Sequence, residues 1–283
     1  MAVKTTPGEN RTYYKEEAPD TKYPGVTRIV GMLPKPFLQR WSANMAAELA
    51  LDSIDYLQRM VDQDREGAKR YVAGAAYRYT DARAKIGSRA HDLFERMIRG
   101  ERVNRVHPDL VMYQRHFAEF LAVVKPVLVR AEDVAWSDTH GYAGSFDAWL
   151  MIRVTVLPDG SWELDPDGHN PLSVWVSVIA DWKTSKSVWA SVALQMSAYA
   201  HADKIIAPDG TEEDMPAFDG AVVLHITPDG WDLIRVRIDR EDVFAAFLHL
   251  RETLKWESTL SKTVLIGSLA KNKARQTGTQ RRA

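Results

Sequence analysis

The chain contains no cysteine among its 283 residues. Disulfides, thiolate zinc sites, iron–sulfur clusters and thiol nucleophiles are therefore excluded together. The formal net charge is only −1, so a polyanion would have to be held by local basic patches rather than by a uniformly basic surface. No stretch supplies the roughly 20 apolar residues of a membrane span, and the first residues lack the apolar centre of a signal peptide. We expect a cytoplasmic protein with no membrane partner.

Length and composition predict one globular unit between two polar ends. A chain that is 45% hydrophobic can bury one sizeable core. Residues 1–22 are polar and turn-rich, which predicts a flexible N-terminal arm. Residues 23–260 are expected to form a single domain, with a helical lobe at about 34–130 and a core at about 81–258. The basic tail, 261–283, is either a solvated tail or a phosphate contact. Its basic residues are Lys262, Lys271, Lys273, Arg275, Arg281 and Arg282.

Apolar periodicity places helices first and strands later. Apolar residues recur every three or four positions from 34 to 99, which predicts helices that end near Gly100, and a further helix is expected over 109–125. Residues 132–183 are typical of a strand meander, since Pro-Asp-Gly turns divide its β-rich runs. A helix over 187–201, a hairpin over 221–238 and a closing helix over 240–258 follow. This order favours an α/β or α+β core with a helical N-terminal lobe.

The strongest chemical signal is an apolar strand that ends in Asp181-Trp-Lys183. Alternate side chains of a strand share a face, so Asp181 and Lys183 should lie together while Trp182 points to the opposite side. An acid and an amine so placed can bind a divalent cation and orient the water or phosphate beside it. Asp147, in an earlier apolar strand, would by itself be interpreted as a hydrogen-bonded structural acid. Two carboxylates from adjacent strands can, however, share a hard cation such as Mg²⁺ or Mn²⁺.

Two helical pairs complete the set of candidate site residues. His91 and Glu95 lie four positions apart on one helix face. A lone helical histidine is more often structural, but imidazole is a competent ligand for manganese. Gln195 and Tyr199 are also four apart, a pattern that alone indicates little.

Taken in chain order, these residues resemble the RecB-like branch of the PD-(D/E)xK nuclease superfamily, which includes phage exonucleases. The family has four ordered motifs: G-x-x-x-H-x-x-x-E on a helix, G-x-x-D and D-x-K on strands, and Q-x-x-x-Y on a helix. Each motif alone is common, whereas all four in sequence are fairly specific. The matching residues are Gly87, His91 and Glu95; Gly144 and Asp147; Asp181 and Lys183; and Gln195 and Tyr199.

The resemblance implies a fold, a cofactor and a role for each residue. The fold would be a restriction-endonuclease-like core, a central mixed β-sheet flanked by helices in the order αβββαβ. One or two Mg²⁺ or Mn²⁺ ions would be held by His91, Asp147, Asp181 and the backbone carbonyl of Trp182. Lys183 would act on the attacking water, and Gln195 and Tyr199 would position either Lys183 or the nucleic-acid backbone. Glu95 would be a salt-bridge or supporting partner, and Lys186 a phosphate contact. Several relatives carry a four-cysteine iron–sulfur cluster, which this chain cannot form.

The implied activity is metal-dependent hydrolysis of DNA in a bacterial or phage-infected cell. We expect an exonuclease of recombination, repair or replication that acts on ends or single strands, with a possible protein partner in those processes. A structure-specific or restriction-like endonuclease, a catalytically silent DNA-binding module, and a buried ion network in an unrelated protein are the alternatives. Trp182 and Trp189 are candidates for stacking on an unpaired base, although packing in the core is the favoured interpretation for both.

Overall fold

The computed structural model describes residues 3–6 and 11–270. Its helices are α1 (Val26–Val30), α2 (Phe37–Asp52), α3 (Ile54–Gln63), α4 (Arg65–Ala73), α5 (Ala75–Ile98), α6 (Val111–Val124), α7 (Val192–Ala200) and α8 (Glu241–Ser258). Its strands are β1 (Val3–Thr5), β2 (Thr12–Lys15), β3 (Tyr23–Pro24), β4 (Val127–Ala131), β5 (Val134–Ser137), β6 (Tyr142–Ser145), β7 (Ala148–Val156), β8 (Trp162–Leu164), β9 (Ser173–Lys183), β10 (Lys204–Ile206), β11 (Glu212–Asp214), β12 (Gly220–Thr227) and β13 (Gly230–Val236).

A six-stranded mixed sheet forms the centre of the fold. Its strands follow the order β13-β12-β9-β7-β4, and β8 pairs with the far end of β7. Strand β9 is antiparallel to β7 and parallel to β12, so the chain must cross over between β9 and β12, and α7 lies in that crossover. The central position of β9 explains its apolar sequence, because both of its faces are covered.

Helices cover both faces of this sheet, and β9 alternates between them. Val178, Ala180 and Trp182 belong to a core that includes buried residues of α5 and α6. Ile179 belongs to a second core, on the opposite face, that includes residues of α1, α7 and α8. The period-two alternation of the strand therefore assigns Asp181 and Lys183 to the α7 face.

The region of the predicted helical lobe, about 34–130, contains α2 to α6. Helices α2 and α4 contact the long helix α5, and α3 contacts α2 and α4. Neither α2 nor α3 contains a fully buried residue. Helix α5 ends at Ile98, and Gly100 follows with a φ of 81°, a left-handed conformation that glycine adopts without steric cost. The predicted stop at Gly100 is confirmed.

The N-terminal segment differs from the predicted flexible arm wherever it is described. Strands β1, β2 and β3 form a small antiparallel sheet, and Tyr13 in β2 is only 4% exposed. The Tyr13 hydroxyl accepts a hydrogen bond from the backbone N–H of Ser145 at 3.3 Å. Pairing with the rest of the fold thus orders a segment whose polar composition suggested otherwise.

The predicted mixed α/β class, with a central mixed sheet flanked by helices, is confirmed. Helix α6, strands β4, β7 and β9, helix α7 and strand β12 follow one another in chain order, with further short strands between them. Among the described helices, none is both long and apolar enough to cross a membrane. The predicted basic tail lies outside the described residues from position 271 onward.

Replacing Phe117 by alanine should destabilise the fold strongly. Phe117 is fully buried, stacks on Phe94 with ring centroids 4.6 Å apart, and meets the edge of Trp182 at 5.7 Å. We expect Phe117→Ala to lower the free energy of unfolding by about 3–5 kcal/mol, because it leaves a cavity under β9. Val123→Ala, at a 52% exposed site on the same helix, should change it by less than about 0.5 kcal/mol. Urea unfolding measures both, and equal losses would contradict this packing.

Candidate functional site

The site lies where β7 begins and β9 ends. Asp147 lies in the bend between β6 and β7 rather than within the predicted apolar strand. Because Ala148 pairs with Ala180, Asp147 still lies beside Asp181 of the adjacent strand β9. Trp182 points away from them and packs its ring edge to face against Phe117. The alternation of β9 therefore places the polar side chains of Asp181 and Lys183 on one face of the strand and the ring of Trp182 on the other.

Asp147 connects helix α5 to the central strand. Its Oδ1 lies 3.0 Å from Nδ1 of His91. Its Oδ2 accepts a hydrogen bond from the backbone N–H of Trp182 at 2.5 Å. A Cβ on Gly87, one turn before His91, would lie 3.1 Å from the hydroxyl of Thr184, just beyond β9. The absence of a side chain at Gly87 lets α5 approach the strand end this closely.

Asp181, Lys183, Gln195 and Tyr199 form one connected network. The Lys183 ammonium contacts Oδ2 of Asp181 in an ion pair. The side-chain amide of Gln195 donates to Oδ1 of Asp181 at 2.7 Å and to the Tyr199 hydroxyl at 3.0 Å. Its carbonyl accepts a hydrogen bond from Lys183 at 3.2 Å. Helix α7 supplies both Gln195 and Tyr199, so their four-residue spacing matters because it places them on one helix face.

Burial and neighbouring charges shift the protonation of the acid and the imidazole. Burial raises the pKa of Asp181 to about 6, Lys183 opposes this rise, and the charge of Asp147 adds to it. Burial alone would lower the pKa of His91, but its hydrogen bond to Asp147 and the charges of Asp147 and Asp181 raise it more, so the net pKa lies above its usual value. The negative charges of Asp147 and Asp181 thus favour the protonated, positively charged form of His91.

Two predicted residues lie outside this network. Glu95 lines the same cavity as His91 and Asp147, but its carboxylate accepts a hydrogen bond from Nε of Arg99 at 2.9 Å. The salt bridge predicted for Glu95 is therefore present. Lys186 is exposed in the loop after β9, and no contact places it within the Asp181 network. Its predicted role as a phosphate contact stays a prediction.

Sequence patterns missed Glu132. This residue lines the cavity of about 570 Å³ that opens beside Asp147. Its backbone is left-handed, with a φ of 62°, and its N–H donates to the carbonyl of Asp147 at 3.2 Å. Burial and the charges of Asp147 and Glu95 raise its pKa to about 7. The only sequence signal was an acidic residue after a short apolar strand, which is common.

The donor set suits a hard divalent cation. Asp147 and Asp181 offer carboxylate oxygens, and His91 offers an imidazole nitrogen. Oδ2 of Asp181 is buried, and its partner is the ammonium of Lys183. Within residues 3–6 and 11–270, no three histidine or acidic side chains already surround a common point. Instead His91 pairs with Asp147, and Lys183 pairs with Asp181.

Comparison of the sequence with protein-family models gives no match, and comparison with curated proteins gives none either.

Replacing Gly144 by alanine should disturb the packing of Tyr199 and Val26 next to this site. A Cβ at Gly144 would lie 2.8 Å from Cε1 of Tyr199 and 2.9 Å from Cγ2 of Val26, closer than real Cβ contacts come. We expect Gly144→Ala to lower the free energy of unfolding by about 1–3 kcal/mol through overpacking.

Gly230→Ala is the matched control, because a Cβ there meets nothing within 4 Å. Thermal or urea unfolding of both variants provides the measurement. A Gly144→Ala protein as stable as the Gly230→Ala protein would show that Tyr199 and Val26 are not packed against this glycine.

Proposed function

We propose that the chain is a metal-dependent deoxyribonuclease, an exonuclease of DNA recombination, repair or phage replication in the cytoplasm of a bacterial or phage-infected cell. The observation that carries this proposal is the contact between residues of separate motifs. His91 meets Asp147, Asp147 binds the backbone of Trp182, and Gln195 joins Asp181 to Lys183. These four motifs span more than a hundred residues of sequence, and the side chains nevertheless meet at one strand end.

In this proposal, Asp147 and Asp181 hold one or two Mg²⁺ or Mn²⁺ ions, with the Trp182 carbonyl and His91 as further ligands. A bound cation of this kind supplies Lewis-acid polarisation of the phosphoryl oxygens. The buried Oδ2 of Asp181 already faces a cation, the Lys183 ammonium, which supports this assignment. Binding there would require the Lys183 ammonium to give up its contact with that oxygen.

Lys183 then acts on the attacking water and on the developing charge. Once separated from Asp181, its ammonium can donate a hydrogen bond that orients the water and can offset the negative charge of the transition state. To help take the proton of the water, Nζ would first have to release a proton of its own. Gln195 holds Lys183 through its side-chain carbonyl at 3.2 Å. Tyr199 is buried behind Gln195 and fixes the amide from which Asp181 also accepts a hydrogen bond. Glu95 supports α5 through Arg99, and Lys186 is a phosphate contact in the proposed complex.

Removing the acid or the amine should abolish cleavage of DNA. We expect Asp181→Asn and Lys183→Met each to reduce hydrolysis of linear DNA in Mg²⁺ or Mn²⁺ by about 10²–10⁴-fold, because each removes a group required in the transition state. Asp229→Asn, an exposed acid in the turn between β12 and β13, is the matched control and should cleave like the native chain. Release of acid-soluble nucleotides gives the rate. Equal rates for all four proteins would refute a nuclease site here.

The exonuclease assignment predicts a requirement for a DNA end. A linear duplex should release mononucleotides, whereas a covalently closed circle of the same sequence should remain intact over the same period. Gel analysis of both substrates with Mn²⁺ distinguishes the outcomes. Cleavage of the circle as fast as the linear duplex would make the enzyme an endonuclease instead.

A further inference from the structure

Two neighbouring clefts open on the Lys183 side of the site. The smaller, of about 90 Å³, is bordered by Lys183, Gln195 and Trp189. The larger, of about 390 Å³, continues from Trp189 to Phe37 and Lys35 at the start of α2. Trp189 borders both clefts, so it lies between Lys183 and the start of α2.

Trp189 is not a core residue. The sequence favoured core packing for this tryptophan and a helix from residue 187, but α7 begins only at Val192 and Trp189 is 60% exposed. Its ring stacks on Phe37, which is 47% exposed, with centroids 5.1 Å apart and planes inclined by 17°. Two adjoining aromatic rings that remain this exposed form an apolar patch beside a charged site.

The loop that carries Trp189 is fixed by hydrogen bonds. His225 on β12 contacts the carbonyl of Ser185 through Nε2 at 2.7 Å, and the hydroxyl of Ser185 donates to the carbonyl of Ser187 at 2.9 Å. The backbone N–H of Val192 donates to the carbonyl of Trp189 at 2.9 Å. The tryptophan is therefore presented from a defined backbone rather than from a free loop.

Charge differs sharply between the two sides of the site. The cavity beside Asp147 is bordered by Asp92, Glu95 and Glu132, which outnumber its one arginine, Arg11. Among the described residues that border the two clefts beside Trp189, none is acidic, while Lys35 and Lys183 both face them. Exposed Lys186 lies in the same loop as Trp189. This side of the site complements an anionic strand, and the opposite side complements a cation.

We propose that Trp189 and Phe37 form a stacking platform for an unpaired nucleobase of the strand whose phosphate occupies the catalytic site. This inference rests on the proposed nuclease function and names its substrate, a single-stranded segment or frayed end. An aromatic ring stacks on any base whose face is free, whereas a base inside a duplex has both faces covered by its neighbours. Lysines beside exposed rings provide the combination that holds a single strand without sequence preference.

The test measures binding without cleavage. A fluorescein-labelled 12-nucleotide oligodeoxythymidylate is titrated in EDTA against the native chain, Trp189→Ala, Trp189→Phe and Trp256→Ala. Trp256, on α8, is 51% exposed and borders neither cleft, so it is the matched control. We expect Trp189→Ala to weaken binding at least about fivefold, Trp189→Phe to retain most of the affinity, and Trp256→Ala to bind like the native chain. All four should melt at similar temperatures, because neither tryptophan is buried.

A second probe isolates the base from the phosphates. An oligonucleotide of the same length whose sugars lack bases should bind the native chain as weakly as Trp189→Ala binds the thymidylate. Equal affinity of the native chain for the two oligonucleotides would overturn the platform, as would unchanged thymidylate binding by Trp189→Ala or no binding by the native chain. Loss of self-association in Trp189→Ala with unchanged thymidylate binding would also overturn it, and would assign the patch to a second copy of this chain.

Cleavage assays on the same preparations separate this inference from the proposed function. Binding of thymidylate that depends on Trp189, without hydrolysis in Mg²⁺ or Mn²⁺, would leave the platform standing and refute the nuclease. If the native chain hydrolyses DNA but its binding does not depend on Trp189, the nuclease proposal stands and the stacking platform is refuted.

Discussion

The carboxylate of Asp147 is the junction on which the rest of the site depends. One oxygen meets the imidazole of His91 on α5, and the other accepts a hydrogen bond from the backbone of Trp182 in β9. The first contact fixes a helix of the outer layer, and the second fixes the end of the central strand. Because Asp181 and Lys183 flank Trp182 in sequence, the register of that one backbone N–H determines where the acid and the amine stand. Gln195 and Tyr199 then hold them from the opposite helix.

The site separates charge across a single strand end. Acidic residues border the cavity on the α5 side, and lysines with exposed aromatic rings border the clefts on the Trp189 side. The ion pair between Lys183 and Asp181 lies between these two sides of the site. Asp181 is buried and Lys183 is partly exposed, and an ion pair of this kind contributes little net stability after the desolvation cost of the carboxylate. An anionic strand on one side and a cation on the other fit this division.

Sequence patterns predicted the parts of the site that follow from local geometry. Strand alternation placed Asp181 beside Lys183 with Trp182 behind them, and helical spacing placed Gln195 over Tyr199; both are confirmed by the contacts of β9 and α7. The meeting of His91 with Asp147 depended on tertiary packing and was expected from the ordered motifs rather than from any local pattern. Glu132 was missed because it follows a strand whose register shifts between Leu128 and Arg130, and such an irregularity has no periodic signature.

The structure differs from the sequence-based predictions at two other places, the N-terminal segment and Trp189. Strands β1 and β2 contain only three and four residues, too few to show alternation, and Tyr13 is buried through contacts with the distant Ser145. Hydrophobicity favoured a buried Trp189, but the later start of α7 leaves it in a loop. A long-range contact decided the first outcome, and the position of the helix start decided the second.

A crystal soaked in manganese tests the central claim most directly, because anomalous scattering at the manganese edge locates the ion independently of the protein density. A manganese ion should be bound by the carboxylates of Asp147 and Asp181, with Lys183 moved away from Asp181. Manganese bound only elsewhere, with the Asp181–Lys183 ion pair intact at saturating metal, would contradict it.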